Sequence, residues 1–339
     1  MKQFTIPMPT RYGINLVLIA AFLFFGHLLM ESGMLPRMHS NNIIQVGIFI
    51  ILAVSLNLVT GYLGQLPLGH AGFMAVGAYA GAIFWRSGLL PGDASIMGGI
   101  LVAGCVAAVF GVIIGIPALR LRGDYLAIIT LGFGEIIRVL INNLSSIGDV
   151  TITGGAQGLP GIPRHSSFLV VYICVIVTCL AIHLLMKSRH GRAILSIREN
   201  EIAAESCGIN TTYYKVLAFA VSAFFAGVAG ALMAGNTGFL QPRDFDFMLS
   251  INILMIVVLG GMGSMIGSVA AAAVLTSFPV FAQALAEWRM IIYAICLIVV
   301  MIFVPRGLFG TYDFSLSRLL EKLIRLFKGE KEGGSENGK

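Results

Sequence analysis

The chain has 339 residues, 57% of them hydrophobic and 11% charged, with a formal net charge of +6. Soluble domains carry about 25% charged residues, so this composition excludes a soluble globular protein and specifies a helical membrane protein. The positive balance does not point to nucleic acid, because Lys and Arg collect in particular loops between apolar runs, as they do in cytoplasmic loops.

The first apolar run, Ile14–Met30, follows Lys2 and Arg11 and has no small-residue cleavage site behind it, so it reads as an uncleaved span. Further runs close to the ~20 residues a helix needs to cross a bilayer lie near 43–60, 68–85, 96–118, 125–143, 168–186, 216–234, 249–262, 266–284 and 290–304. The expected fold is all-α, a polytopic transmembrane helical bundle of about 10 spans filling residues 1–310. An even number of spans puts both termini on one side. Segments assigned to that side hold 16 Lys and Arg residues and the opposite segments five, which places both termini in the cytoplasm.

Two stretches are too rich in glycine for plain helices. TGYLGQLPLGHAG, residues 60–72, contains Gly61 and Gly64. At membrane depth it is a broken helix, tolerated only where buried in protein or lining a wet cavity; at the surface it is a turn. Gly260, Gly261 and Gly263 interrupt 249–284, leaving either two short spans or one broken helix. SLNLVTGYLG (55–64) and SINILMIVVLGG (250–261) resemble each other loosely, over a length for which chance is the better account. Corresponding broken helices in two halves of a transporter would mark a pathway. Small residues also recur at helical spacing, as in Gly77-x-x-x-Gly81, Gly111-x-x-x-Gly115 and Ala223-x-x-x-Gly227, the pattern of close helix packing.

Polar groups inside the spans are few, and each is costly in hydrocarbon. Glu135 and Arg138 sit three apart on one helix face, able to pair; they form either a structural ion pair or part of a pathway lining. Asn57, Gln65 and His70 flank the first glycine-rich stretch and either bind a polar substrate or join neighbouring helices. The loops at 142–167 and 235–248 fall on the outer side and carry Asp149, Arg164, Arg243, Asp244 and Asp246, charges suited to solvent or to an external partner.

The longest internal polar run, 188–215, lies on the cytoplasmic side with Lys187, Arg189, Arg192, Arg198 and Lys215 in or beside it. Ser196 followed by Glu199 fits a capping box that starts a short helix, and Gly208 is placed to end it. A capped helix between two spans is the kind of element a cytoplasmic motor grips. Toward the C-terminus, 314–327 reads as an amphipathic helix on the inner surface and 329–339 as a disordered tail, together a segment of 311–339. No HExxH, GxSxG or Walker A sequence is present, the five cysteines form no CxxC, and the histidines lack metal-ligand spacing. No catalytic residue, cofactor site or metal site is therefore expected in this chain.

Five blocks carry a resemblance: SLNLVTGYLGQLPLGHAGFMAVGAYAGA (55–82), LRGDYLAIITLGFGEIIR (121–138), TGGAQGLPGI (153–162), GRAILSIRENEIAAESCGINTTYYKVLAFAVSAFFAGVAGAL (191–232) and VVLGGMGSMIGSV (257–269). In that order they resemble the permeases of branched-chain amino-acid ABC importers, in their LivM-type subunit. The resemblance implies a bacterial inner-membrane protein that pairs with a second, related permease. It further implies two cytoplasmic ATP-binding subunits, which hold the ATP and Mg, and a periplasmic substrate-binding protein. The family's ATPase-contacting loop corresponds to Arg198, Glu199, Asn200, Glu201, Ala203, Ala204, Glu205, Gly208 and Ile209. Here Ile202 separates Glu201 from the two alanines, a departure from the wider importer pattern. The cargo implied is leucine, isoleucine or valine, with urea or short amides as the alternative. An ion-coupled transporter using Glu135 and an integral membrane enzyme are the competing classes.

Overall fold

The computed structural model describes residues 21–30, 36–121, 123–144, 146–147, 150–151 and 153–281, with isolated positions at 291, 295 and 298. The chain divides into two units, Met1–Leu35 with Tyr312–Lys339, and Pro36–Thr311. The first contains the short apolar helix α1, Ala21–Met30, within the expected first span. The rest of that span, the span at 290–304, the amphipathic helix at 314–327 and the tail lie outside the described residues, apart from the isolated positions.

The second unit is helical. α2 (Arg37–Asn57), α3 (His70–Ser87), α4 (Asp93–Ala118), α5 (Asp124–Asn143) and α6 (Phe168–Lys187) are followed by two short helices, α7 (Arg189–Glu199) and α8 (Glu201–Ser206). α9 (Thr211–Thr237), α10 (Phe247–Gly260) and α11 (Met265–Phe281) complete it. Among the described residues, four helices are long and apolar enough to cross a membrane: Met38–Tyr62, Asp93–Ala118, Phe168–Lys187 and Thr211–Thr237. Between 249 and 281 the chain forms two short helices rather than one broken one. Gly261 (φ 104°) and Gly263 (φ 88°) form the turn between them, a conformation that side chains with a Cβ rarely adopt.

α9 is the centre of the bundle because its small residues let neighbouring backbones approach. A Cβ on Gly77 of α3 would overlap the Gly227 backbone, and one on Gly230 would overlap the Met74 carbonyl. On the α4 side, a Cβ on Gly111 would come 2.6 Å from the Ala223 Cβ and one on Gly115 would come 3.1 Å from Phe219. All three small-x-x-x-small motifs therefore fall at the joints of α3, α4 and α9, as their spacing predicts. α2 packs on the same core, with Ile48, Ile51, Leu52 and Leu56 fully buried. A helix apolar on every side is stable only when surrounded.

At the end of the bundle away from α7 and α8, two antiparallel pairs form in the loops. β1 (Ser146–Ile147) pairs with β2 (Val150–Thr151). β3 (Leu159–Pro160) pairs with β4 (Phe239–Leu240), joining the loops at 142–167 and 235–248.

Candidate coupling and translocation site

The first glycine-rich stretch is a broken helix. α2 ends in a π-helical turn, Leu58–Tyr62, the wider winding often found at functional sites. The chain turns at Gly64 (φ 76°) and climbs back into the bundle as irregular backbone before α3 begins. Gly64 and Leu66 are exposed, whereas Pro67 and Gly69 are buried. The returning limb is held by α5, where Thr130 Oγ1 accepts a 2.9 Å bond from Leu68 N. His70 then starts α3 level with Ser55, whose hydroxyl lies 3.0 Å from its Nε2. Ser55 precedes Tyr62 by about 10 Å of helix, so α3 starts inside the bundle.

The two glycine breaks meet. Gly263 N donates to Asn57 Oδ1 at 2.9 Å, and Asn57 Nδ2 donates to Ser264 O at 3.1 Å. A Cβ on Gly61 would overlap both the Asn57 carboxamide and Gly263 N. The loosely similar helices also flank one point: Ser55 binds His70, and Ser250 Oγ accepts a 3.0 Å bond from Ala71 N. Asn57 and His70 are thus engaged in joining helices. Gln65 is half-buried, its side-chain oxygen without a hydrogen-bond partner among the described residues.

A shallow, mostly apolar cleft lies at the start of α3, where Glu135, Asp246 and Ser250 stand among Leu68, Leu131, Phe245 and Phe247. Close approach of α3 and α5 is possible because a Cβ on Gly72 would come only 2.8 Å from the Gly134 Cα. Glu135 and Arg138 pair as their spacing predicts, with Arg138 Nε 2.8 Å from Glu135 Oε2. Both side chains are about one third exposed. Ser250 and Thr130 escaped sequence reasoning because a lone hydroxyl in an apolar helix gives no signal of its partner.

The loop at 188–215 differs from expectation in two respects, where its helix starts and a break at Asn200 that makes two helices of one. Ser196 does not start a helix; it lies within α7, and its hydroxyl donates to Ala193 O. α7 begins eight residues earlier, where Ser188 Oγ accepts from His190 N and Gly191 N. Burial of Gly191, Ala193, Ile194 and Ile197 extends the helix past the apparent capping box. The chain then breaks at Asn200, whose Oδ1 caps α8 by accepting from Ala203 N at 3.1 Å. Gly208 ends the element with φ 82°, as its placement predicts.

α8 has two faces. Ala204 is buried and Ile209 half-buried, whereas Ala203 and Glu205 are exposed, beside Ile202 at 68% exposure. Glu201 turns inward and pairs with Lys215 of α9 at 2.6 Å. Arg198, Glu199, Asn200 and Gly208 are exposed. Arg198 also lies over the two breaks: a Cβ on Gly64 would come 3.1 Å from its Cγ, and one on Gly263 would come 3.3 Å from its guanidinium. The elbow between α7 and α8 therefore sits against the glycine turns that end α2 and α10.

Long apolar helices and a limb that returns into the bundle beside Glu135 define an integral-membrane helical protein. The chain belongs to the family described as branched-chain amino acid transport system / permease component, whose model matches residues 38–301. It is 37% identical to the high-affinity branched-chain amino acid transport system permease protein LivM of Salmonella typhimurium over 303 residues, covering 77% of this chain and 67% of that one. To LivM of Escherichia coli it is 36% identical over 332 residues, covering 84% and 74%. The LivH permease protein of Escherichia coli is 24% identical over 281 residues, covering 77% and 91%. No solved structure matches the chain.

Proposed function

We propose that this chain is one of two paired permease subunits of a bacterial inner-membrane ABC importer for leucine, isoleucine and valine. The cargo reading rests on the LivM and LivH likeness. The full subunit has ten spans with both termini in the cytoplasm, a reading supported by the asymmetry of Lys and Arg between alternate loops. Two cytoplasmic subunits bind and hydrolyse ATP with Mg, and a periplasmic binding protein delivers the amino acid. The joined loops at β3 and β4 are the surface proposed for that delivery.

The observation that carries this reading is the exposed face of α8, set on an elbow that touches both glycine breaks. Ile202, Ala203 and Glu205 seat in the ATP-hydrolysing partner. When that partner closes, α8 moves, and the motion enters α2 and α10 at their turns. A rigid body displaced at one end rocks the bundle between inward and outward states. Glu135 and Arg138 then face the route, where a partly exposed ion pair in a span gains hydration unavailable from lipid. The permease needs little affinity of its own, since the binding protein supplies much of the selectivity.

Urea or a short amide is the second cargo reading, since Glu135, Asp246 and Ser250 at the otherwise apolar cleft are chemically able to bind an amide. Labelled leucine uptake in cells lacking other leucine systems, and carrying this chain with its partner subunits, separates the two. Excess valine abolishes uptake on the first reading, while excess urea leaves it unchanged. Uptake or competition by urea with no response to valine overturns the cargo assignment.

A further inference from the structure

The wider importer pattern makes the glutamate of this loop a candidate for direct contact with the ATP-hydrolysing partner, and the geometry around Glu201 argues against that. Its Oε1 lies 2.6 Å from Lys215 Nζ, and the Lys215 side chain is only 4% exposed. A buried ammonium requires a counter-charge, and the Glu201 carboxylate, 23% exposed, has one oxygen committed to it and fewer acceptor positions left for a second protein. α8 has six residues, too few to persist as a helix by propensity alone. Its Asn200 cap is local, and among the described residues its inward apolar contacts are slight: Ala204 within the helix and Ile209 just after it. The ion pair is thus a strong link from α8 to the spans.

The link also lands at a sensitive place. Lys215 lies in the second turn of α9, and Ser222, about 10 Å further along the same helix, donates to Ser55 O of α2 at 2.7 Å. Beyond it come Gly227 and Gly230, where α9 touches the α3 and α4 backbones. A pull on Lys215 is therefore delivered to α2, α3 and α4, of which α3 walls the cleft.

We infer that Glu201 is a positioning residue, the inward anchor through which α8 drives α9, and that Ile202 and its exposed neighbours alone face the ATP-hydrolysing partner. This rests on the reading of α8 as the docking element. The test is a set of variants assembled with both permeases, the ATP-hydrolysing subunits and the binding protein, scored for partner co-purification and for leucine imported per ATP hydrolysed. Glu201→Gln and Lys215→Met are expected to co-purify within twofold of the parent and to lose about tenfold in leucine per ATP. Glu201→Asp, which keeps the charge on a shorter arm, is expected to fall between parent and Gln. The exchange Glu201→Lys with Lys215→Glu is expected to recover most of the loss. If Lys215→Met or the exchange fails to fold, the order Glu, Asp, Gln at position 201 with level co-purification carries the same decision. Loss of co-purification in Glu201→Gln would make Glu201 a docking contact and overturn the inference, as would an unchanged yield per ATP. Ile202→Arg separates the underlying reading: it abolishes co-purification if α8 is the docking element, and unaltered co-purification would remove that premise whatever Glu201 does.

Discussion

Replacing Asn57 with alanine tests whether the two glycine breaks are held together by one carboxamide. Asn57 is 1% exposed and makes two bonds across the seam. Their loss is not symmetrical. Ser264 O keeps the Ser268 hydroxyl at 3.0 Å and the Ser268 amide at 3.1 Å, so it remains satisfied. Gly263 N is left without an acceptor. Stranding that N–H costs about 1–3 kcal/mol, and the lost bond to Ser264 adds about 1 kcal/mol. Gly263 is half-buried and gains some water, so the sum expected is about 2–3 kcal/mol. Asn57→Asp should be no milder, because it keeps the acceptor for Gly263 N but sets a carboxylate against the Ser264 carbonyl. Gly61→Ala attacks the same joint sterically, and overpacking of this kind costs about 1–3 kcal/mol. Gly132 of α5 is the control: a Cβ there meets nothing within 4 Å, so Gly132→Ala should be neutral or stabilise by up to about 1 kcal/mol. The assay is reversible unfolding in mixed detergent micelles. An Asn57→Ala protein within about 0.5 kcal/mol of the parent would refute the clamp, and a Gly132→Ala loss equal to that of Gly61→Ala would refute the steric account.

Gly77→Leu should prevent α3 and α9 from closing and remove the monodisperse folded species in size-exclusion chromatography, while Gly132→Ala, where a Cβ meets nothing within 4 Å, should leave that peak in place. Glu135→Gln breaks the pair facing the cleft and should cut leucine uptake at least tenfold with ATP hydrolysis retained; unchanged uptake would assign the pair to structure alone. Ala203→Arg places a bulky charge on the exposed face of α8 and should uncouple uptake from ATP hydrolysis without shifting stability by more than about 0.5 kcal/mol, whereas normal transport would count against docking there.

The long apolar helices α2, α4, α6 and α9 were legible in the sequence because length and hydropathy alone specify a span. The Glu135–Arg138 pair was legible because three residues of helix place both on one face. Gly208 was legible as a stop signal for the same local reason. The start of α7 was not, since Ser196 and Glu199 satisfy a local capping pattern that burial of Ile194 and Ile197 overrides. The meeting of Gly61 with Gly263, and of Glu201 with Lys215, joins residues with no common helical register. The local pattern shows that the chain breaks at these glycines and places Lys215 in a solvated loop, but its burial and the partners at both joints are set by how distant helices pack.

The account depends most on the claim that transport is driven by ATP hydrolysis in partner subunits acting through α8. The decisive measurement is leucine uptake into proteoliposomes holding this chain, its paired permease, the ATP-hydrolysing subunits and the binding protein, with and without ATP inside the compartment that faces α8. The account predicts uptake only with ATP, indifferent to imposed proton or sodium gradients, and lost in Ile202→Arg. Uptake that ignores ATP and follows an ion gradient would contradict it and move the coupling role from α8 to Glu135.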